Sequence, residues 1–258
     1  MPVPPPSLTS DQLVELLGLL KKVDSVELKL TVPAGAGRRI MDSLGIDPLE
    51  AQIRQVVFFD TPDLTLDKAG VVVRARRLQV GLDDTTVKLR PVEPDNLPAE
   101  LRKNPSFGVE VDAIPGGFVC SGSMKSEGPL DVRSVLHGDK PLKKLFSKEQ
   151  RQFFAEHAPE GMDLNDLSIL GPINVFKLKW KPVDFPRKVV GELWNYPDGS
   201  RILELSTKCV PTDAFQAAAE SRAFLSSKGI ETGGEQTTKT RTALEFFANE
   251  LKSQAQPA

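Results

Sequence analysis

The chain has few of the residues that build disulfide-linked or zinc-based scaffolds. Its 258 residues include only two cysteines, Cys120 and Cys209, and two histidines, His137 and His157. Two cysteines are too few for a disulfide framework, and so few cysteines and histidines leave little material for a zinc cluster. Carboxylates are plentiful, with 35 Asp and Glu residues. We therefore expect any metal site to be built from hard oxygen ligands.

The sequence also lacks an excess of charge of one sign and any long hydrophobic run. A net charge of −2 and a pI near 5.9 argue against non-specific binding to DNA or anionic membranes, because both require a positive field. Apolar runs such as Leu16 to Leu20 are short, and no basic-then-apolar start precedes a small-residue cleavage site. We expect a cytoplasmic protein with no DNA partner and no membrane contact.

Two segments without periodic patterning flank the rest of the chain. Residues 1–8 include four prolines and residues 253–258 are polar, so we predict a disordered leader and a disordered tail. Residues 9–252 predict a single domain, interrupted by an insertion at about 115–171. Amphipathic helices are predicted on both sides of the insertion and within it, because apolar residues recur there at helical spacing.

Strands with one charged face recur along the chain. In the segment Ser25–Val32, Glu27 and Lys29 stand two residues apart, and apolar residues fill the alternate positions. Both charges therefore project to the same side of a strand. One such strand is typical of a solvated sheet face. Because eight segments can be read as strands and most repeat the pattern, we expect their charged faces to meet in a common space.

Charged strand faces and apolar helices together predict a closed barrel. We predict an α+β fold in which eight antiparallel strands close into a barrel and the helices pack outside, so that the charged faces line a tunnel. A cationic tunnel favours a multiply charged anion, with phosphate preferred because arginine forks match its oxygens. The predicted inward groups are ten cations and five acids: Lys29, Arg74, Arg76, Lys88, Arg90, Lys177, Lys179, Lys208, Lys239, Arg241, Glu27, Glu110, Asp112, Glu192 and Glu204.

Six short motifs follow one another between about Val26 and Leu251. They are Glu27-Leu28-Lys29, the run from Phe58 to Leu64 (FFDTPDL), Arg74-x-Arg76, Lys88-Leu89-Arg90, Leu203-Glu204-Leu205 and Lys239-Thr240-Arg241. In this order they resemble the CYTH family, the triphosphate tunnel metalloenzymes. Members of that family form an eight-stranded antiparallel barrel that binds triphosphate with magnesium or manganese.

The resemblance implies metal-dependent hydrolysis of an inorganic or organic triphosphate, with Mg²⁺ or Mn²⁺ as cofactor. Taken with the predicted inward positions, it assigns metal binding to Glu27, Glu204 and Glu192. Catalysis is assigned to Glu110, Asp112 and Lys29. The substrate-binding set comprises the cations Lys29, Arg74, Arg76, Lys88, Arg90, Lys177, Lys179, Lys208, Lys239 and Arg241. The expected partner is a small triphosphate-containing molecule or a polyphosphate.

The chain departs from the family pattern in two places. Relatives often have a second acid two residues from the position of Glu204, where this chain has Ile202 and Ser206. The family signature is Glu-x-Glu-x-Lys, and this chain has Ser25 at the first acidic position. The neighbouring Asp24 would face the other side of the strand unless a bulge intervened. Two alternatives to a hydrolase therefore stay open. The first is a non-catalytic module that binds polyphosphate or a nucleotide, and the second is a class IV adenylyl cyclase, for which the sequence shows no distinctive purine-binding residue.

Overall fold

Nine β-strands close into a barrel in the computed structural model, which describes residues 8–32, 37–230 and 238–255. The strands are β1 (Ser25–Val32), β2 (Gln52–Asp60), β3 (Val71–Leu78), β4 (Asp83–Leu89), β5 (Phe107–Ile114), β6 (Gly117–Gly128), β7 (Ser168–Trp180), β8 (Val189–Asn195) and β9 (Arg201–Cys209). Around the barrel they follow the order β1-β5-β6-β4-β3-β2-β7-β8-β9, and β9 pairs with β1 to close the ring.

The closed α+β barrel is confirmed, but the predicted count of eight strands is corrected to nine. The additional strand is β6, whose strand propensity is low because six of its twelve residues are Gly or Ser. A ring of nine strands cannot alternate in direction throughout, so it requires a parallel pair. That pair is β1 and β5, where Glu27 lies opposite Asp112. The other neighbouring strands are antiparallel, as predicted.

Short helices pack around this barrel. In the described residues the α-helices are α1 (Ser10–Leu20), α2 (Gly37–Leu44), α3 (Thr65–Lys68), α4 (Ala99–Lys103), α5 (Val132–Leu136), α6 (Lys148–His157), α7 (Ala214–Ser227) and α8 (Lys239–Ala255). Capping boxes begin two of these helices, at Thr9 of α1 and Ser147 of α6. Each cap satisfies backbone N–H groups that the first helical turn leaves without a partner.

The outward faces of the strands form the core with the helices. One cluster joins outward residues such as Val73 and Val111 to Phe153 and Phe154 of α6. A second joins Leu30 and Leu205 to residues of α2 and α7. Burial of each large apolar side chain contributes about 2 kcal/mol. The apolar faces of the strands are therefore used for helix packing, which leaves their charged faces to the interior.

Helix α8 lies against one end of the barrel. Its residues Ala243, Leu244 and Phe247 share a buried cluster with Phe58 of β2 and Trp194 of β8. Phe58 and Trp194 point to the interior face of their strands, because Phe58 pairs with Arg74 and Trp194 lies two residues from Glu192. The cluster fills the interior at the end of the barrel where β2 and β8 finish, so α8 closes that end.

Several sequence predictions concern segment boundaries. Residues 1–7 of the predicted leader lie outside the described residues. Helix α8 continues to Ala255, three residues into the predicted tail 253–258. Part of the stretch 115–171 belongs to the barrel as β6 and the start of β7, and its remainder packs outside. No helix in the described ranges is long and apolar enough to cross a membrane.

We predict that Gln150 of α6 anchors the helix to the barrel. The Gln150 side chain is fully buried, donates from Nε2 to the carbonyls of Thr85 and Met124 at 3.1 Å, and accepts from the Thr85 hydroxyl. Gln150→Ala should lower the free energy of unfolding by about 2–4 kcal/mol, because it leaves buried polar groups without partners. Urea denaturation measures this loss. Gln152→Ala, at an exposed position of the same helix, is the matched control, and equal losses in both variants would contradict the prediction.

Candidate functional site inside the barrel

Three carboxylates meet on the wall formed by the parallel strands β1 and β5. Glu27, Glu110 and Asp112 each offer an oxygen, and these oxygens lie within 4.8 Å of one another. Strand register produces this grouping, because Ser25 pairs with Glu110 and Glu27 with Asp112. The side chain of Asp112 is 0% exposed. Three hard oxygen ligands this close together fit a divalent cation such as Mg²⁺ or Mn²⁺.

Three cations surround Asp112 of β5: Lys29 lies on β1, Lys88 lies on β4, and Arg90 directly follows β4. Lys29 Nζ donates to Asp112 Oδ1 at 2.7 Å, and Lys88 Nζ donates to Oδ2 at 3.2 Å. Arg90 Nη2 lies 3.9 Å from Oδ2, and Lys29 also contacts Glu27 at 3.1 Å. The predicted residues Lys29, Lys88 and Arg90 therefore lie next to the three acids. Two positively charged groups within hydrogen-bonding distance compensate a carboxylate that water does not reach.

This arrangement shifts the pKa values of its members. Burial alone would raise the pKa of Asp112, but Lys88 and Lys29 outweigh it and hold that pKa well below its usual range. Burial alone would lower the pKa of Lys29, but Asp112 and Glu27 raise it above its usual value. Lys88 is different, because burial lowers its pKa despite Asp112. The pair of Asp112 and Lys29 therefore stays ionised across the physiological range.

Ser25 takes part in the same wall through its hydroxyl group. Ser25 Oγ donates to Glu110 Oε2 at 3.1 Å, and Lys208 forms an ion pair with the same carboxylate. Both contacts lie at the end of the barrel opposite α8. A polar cavity of about 380 Å³ opens there, and its lining includes Ser25, Glu110, Lys125 and Lys208. The barrel thus has one closed end and one open mouth.

A second charged cluster lies on β8 and β9. Glu192 and Glu204 are cross-strand neighbours, and Lys239 from the first turn of α8 contacts both, with 2.7 Å to Glu204. Lys177 of β7 contacts Glu192 at 2.8 Å. Burial alone would raise the pKa of Glu192, but Lys239 and Lys177 hold it well below its usual range. The ammonium of Lys239 also lies 5.2 Å from the Trp194 ring centroid, which anchors α8 further.

The structure therefore distributes the predicted metal ligands between two places. Glu27 groups with Glu110 and Asp112, whereas Glu192 and Glu204 are held by lysines. Four predicted cations lie apart from both clusters. Arg74 and Arg76 lie on β3 across the barrel, Lys179 is exposed near the mouth, and Arg241 is 72% exposed and paired with Glu245 on α8. The structure does not bring Arg241 into the tunnel, because its side chain leaves α8 on the solvent side.

The wall across the barrel, formed by β3 and β2, carries arginines. Arg76 is held by Asp84 through contacts of 2.8–2.9 Å from two guanidinium nitrogens. Arg74 pairs with Thr86 in the sheet, and neither its Nε nor the Thr86 hydroxyl has a hydrogen-bond partner in the described residues. Burial and the nearby Arg76 lower the pKa of Arg74 to about 10. Arg54 of β2 joins this wall.

Sequence reasoning missed Asp84 and Arg54. Asp84 shares its phase with the predicted inward Lys88, and that phase could have revealed it. Arg54 shares its phase with Val56 and Phe58, which are apolar, so alternation alone could not show that this face is the interior. Only the strand order, which places β2 beside β3 and β7, identifies Arg54 as an inward residue.

Two solved structures resemble this fold. One is a candidate adenylyl cyclase from Hippeastrum, described as having a dominant triphosphatase activity; the TM-score is 0.62 at 16% identity, covering 84% of this chain and 93% of that chain. The other is a candidate adenylate cyclase from Bacillus halodurans, with a TM-score of 0.50 at 14% identity, covering 85% of this chain and 97% of that chain. Neither a sequence family profile nor a curated protein matches the chain. The chain therefore has the CYTH-type fold that its motifs predict, and at these identities the likeness shows the fold alone.

We predict that Asp112→Asn destabilises the protein in a pH-dependent way. The variant leaves Lys29, Lys88 and Arg90 without their carboxylate. The free energy of unfolding near pH 7 should therefore fall by about 3–5 kcal/mol. A carboxyl with a lowered folded-state pKa contributes stability above its unfolded pKa of about 3.9 and loses it as the pH falls further. The difference between the wild type and the variant should therefore shrink below about pH 4.

Urea unfolding of both proteins near pH 7 and near pH 3 measures this difference. Asp95→Asn is the control, because Asp95 is an exposed partner of Lys22 at the surface. A penalty for Asp112→Asn that is equal at both pH values would contradict the prediction.

Proposed function

We propose that this protein is a metal-dependent hydrolase of a triphosphate bound inside the barrel. The observation that carries the proposal is the convergence of Lys29, Lys88 and Arg90 on Asp112, beside the carboxylates of Glu27 and Glu110. Cations that can bind phosphate oxygens and acids that can bind a divalent cation thus line the same interior, which is open at one end. The structural likeness to a protein described as a triphosphatase supports the same reading.

The cations bind and orient the substrate. Arginine forks and lysine ammonium groups form charge-assisted hydrogen bonds with phosphate oxygens. Lys29 approaches from β1, and Lys88 and Arg90 approach from the end of β4, so they can contact different oxygens of one phosphate chain. Arg74, on the opposite wall, has a buried Nε–H without a partner in the described residues, and this group can donate a hydrogen bond to a further phosphate oxygen. Phosphoryl transfer needs mainly such positioning and charge neutralisation, because its charge is spread over the phosphate oxygens.

The acids Glu27, Glu110 and Asp112 would hold Mg²⁺ or Mn²⁺. A divalent cation bound there supplies charge neutralisation for the phosphate oxygens and lowers the pKa of coordinated water. Glu110 lies nearest the mouth and is oriented by Ser25 and Lys208, so we assign it the role of positioning the attacking water. In the reaction, a water oxygen bonds to a phosphorus atom, the bridging P–O bond breaks, and the released phosphate carries the added oxygen.

A non-catalytic binding module is the second candidate function. Ser25 offers a hydroxyl where the family signature has a carboxylate, and lysines already hold Asp112, Glu27, Glu192 and Glu204. A cation would compete with these ammonium groups for the same oxygens. Binding of triphosphate needs the cations alone, whereas hydrolysis also needs the acids to hold a metal. Metal affinity therefore decides between the two functions.

We predict phosphate release that requires a divalent cation and Glu27. Tripolyphosphate, thiamine triphosphate, ATP and GTP, each with Mg²⁺ or Mn²⁺, should be assayed for phosphate and for cyclic nucleotides. Glu27→Gln keeps the shape of the side chain but removes the charge that the cation needs, so activity should fall by at least about tenfold. Glu100→Gln, at an exposed position, is the control. Activity that survives excess chelator would overturn the proposed hydrolase, and cyclic-nucleotide release would favour a cyclase.

We predict that Ser25→Glu tightens metal binding. Residue 25 pairs with Glu110 in the sheet, so the new carboxylate would join Glu27, Glu110 and Asp112. Affinity for hard cations rises with the number of charged oxygen ligands. Ser25→Gln has nearly the same size without the charge and is the matched control. Titration with Mn²⁺ measures the effect, with circular dichroism as a folding check. Equal affinities in the Glu and Gln variants would show that position 25 is not a ligand position.

A further inference from the structure

Arg54 is a buried cation that none of the predicted clusters uses. Its residue is only 9% exposed, and its Nε has no hydrogen-bond partner in the described residues. Asp84 and Glu192 attract it, but Asp84 is bound by Arg76 and Glu192 by Lys177 and Lys239. Neither carboxylate forms an ion pair with Arg54. A buried guanidinium without an ion-pair partner is costly, so this position is prepared for an anion from outside the chain.

Strand register locates Arg54 along the barrel. Phe58 of β2 pairs with Arg74, and Arg54 lies four residues from Phe58 toward the start of β2. At about 3.3 Å per residue, the two levels are about 13 Å apart along the strand. Strand β2 starts at the open mouth and ends beside α8. Arg54 therefore stands nearer the mouth than Arg74, on the wall that faces β1 and β5 across the barrel.

The closed end determines which part of a ligand reaches Arg54. Helix α8 and its apolar cluster fill one end, so any group attached to a triphosphate held near Asp112 must extend toward the mouth. A phosphate accepts a charge-assisted hydrogen bond from Arg54. A neutral nucleoside offers no negative charge for such a bond, and a cationic thiazolium carries charge of the wrong sign. The exposed Lys125 and Lys179, which form no ion pair within the described ranges, add positive charge near the same opening.

We propose that Arg54 binds an additional phosphate group near the mouth and thereby makes the site selective for inorganic polyphosphate of four or more phosphates. The inference rests on the proposed triphosphate site and specifies its substrate class. Arg54 is a binding residue for the distal part of the chain and has no part in the reaction at the acids. Its removal should therefore change the preference for chain length and leave the binding of the shortest substrate nearly intact.

Calorimetric titration with tripolyphosphate, tetrapolyphosphate and ATP tests this assignment. The wild type should bind tetrapolyphosphate at least about tenfold more tightly than either other ligand, as one charge-assisted contact allows. In Arg54→Gln that advantage should fall to about twofold or less, while the tripolyphosphate Kd changes by less than about threefold. Arg54→Lys should keep part of the advantage. Arg77→Gln is the matched control, because Arg77 contacts Gln55 on the outer face of the same strands.

Thermal unfolding provides a second readout that does not depend on activity. Without ligand, Arg54→Gln should unfold at a temperature equal to or above that of the wild type, since it removes an unpaired buried charge. With tetrapolyphosphate it should gain less stabilisation than the wild type. If the wild type binds tripolyphosphate but Arg54→Gln keeps the full preference for tetrapolyphosphate, the assignment of Arg54 is wrong and the proposed function stands. If the wild type binds none of the ligands, both are wrong.

Discussion

The contact of Asp112 with Lys29 and Lys88 is the interaction on which the interior depends. In a barrel lined by charged side chains, each buried charge lowers the stability unless a nearby group compensates it. Asp112 lies on β5 and its two lysines on β1 and β4, so one carboxylate joins three strands that are separate in sequence. The contact compensates the buried carboxylate and also leaves cations close to the place where phosphate oxygens would bind. Structural and functional demands meet at the same residue.

The inner surface is divided by the order of the strands. Acids lie on the adjacent strands β1 and β5, and arginines lie across the barrel on β2 and β3. A phosphate chain between these walls would contact arginines on one side and, through a divalent cation, acids on the other. The parallel pairing of β1 with β5 produces this division, because it brings Glu27 opposite Asp112 and Ser25 opposite Glu110. The odd number of strands thus bears directly on the chemistry of the site.

Local alternation in the sequence predicted the barrel and much of its lining, including Lys29, Lys88 and Asp112. It could not predict β6, whose Gly and Ser residues have weak strand preference. It also could not predict Arg54, because Val56 and Phe58 on the same face are apolar and do not indicate a charged interior. Local alternation also cannot predict which charged residues form ion pairs with each other. Lys239 and Glu192 are 47 residues apart, and their contact depends on where α8 docks against the barrel.

The position of Lys239 has a consequence for the order of folding during synthesis. All nine strands precede α8 in the chain, so a barrel that closes on the ribosome contains Glu192 and Glu204 before Lys239 is available. Until then Lys177 is the strand lysine that contacts Glu192, and Glu204 has no ion pair with the strands that the structure describes. Two buried acids with one lysine disfavour full closure, and the barrel can bury them at low cost only after α8 arrives. The interior is therefore expected to be completed only after α8 has been synthesised.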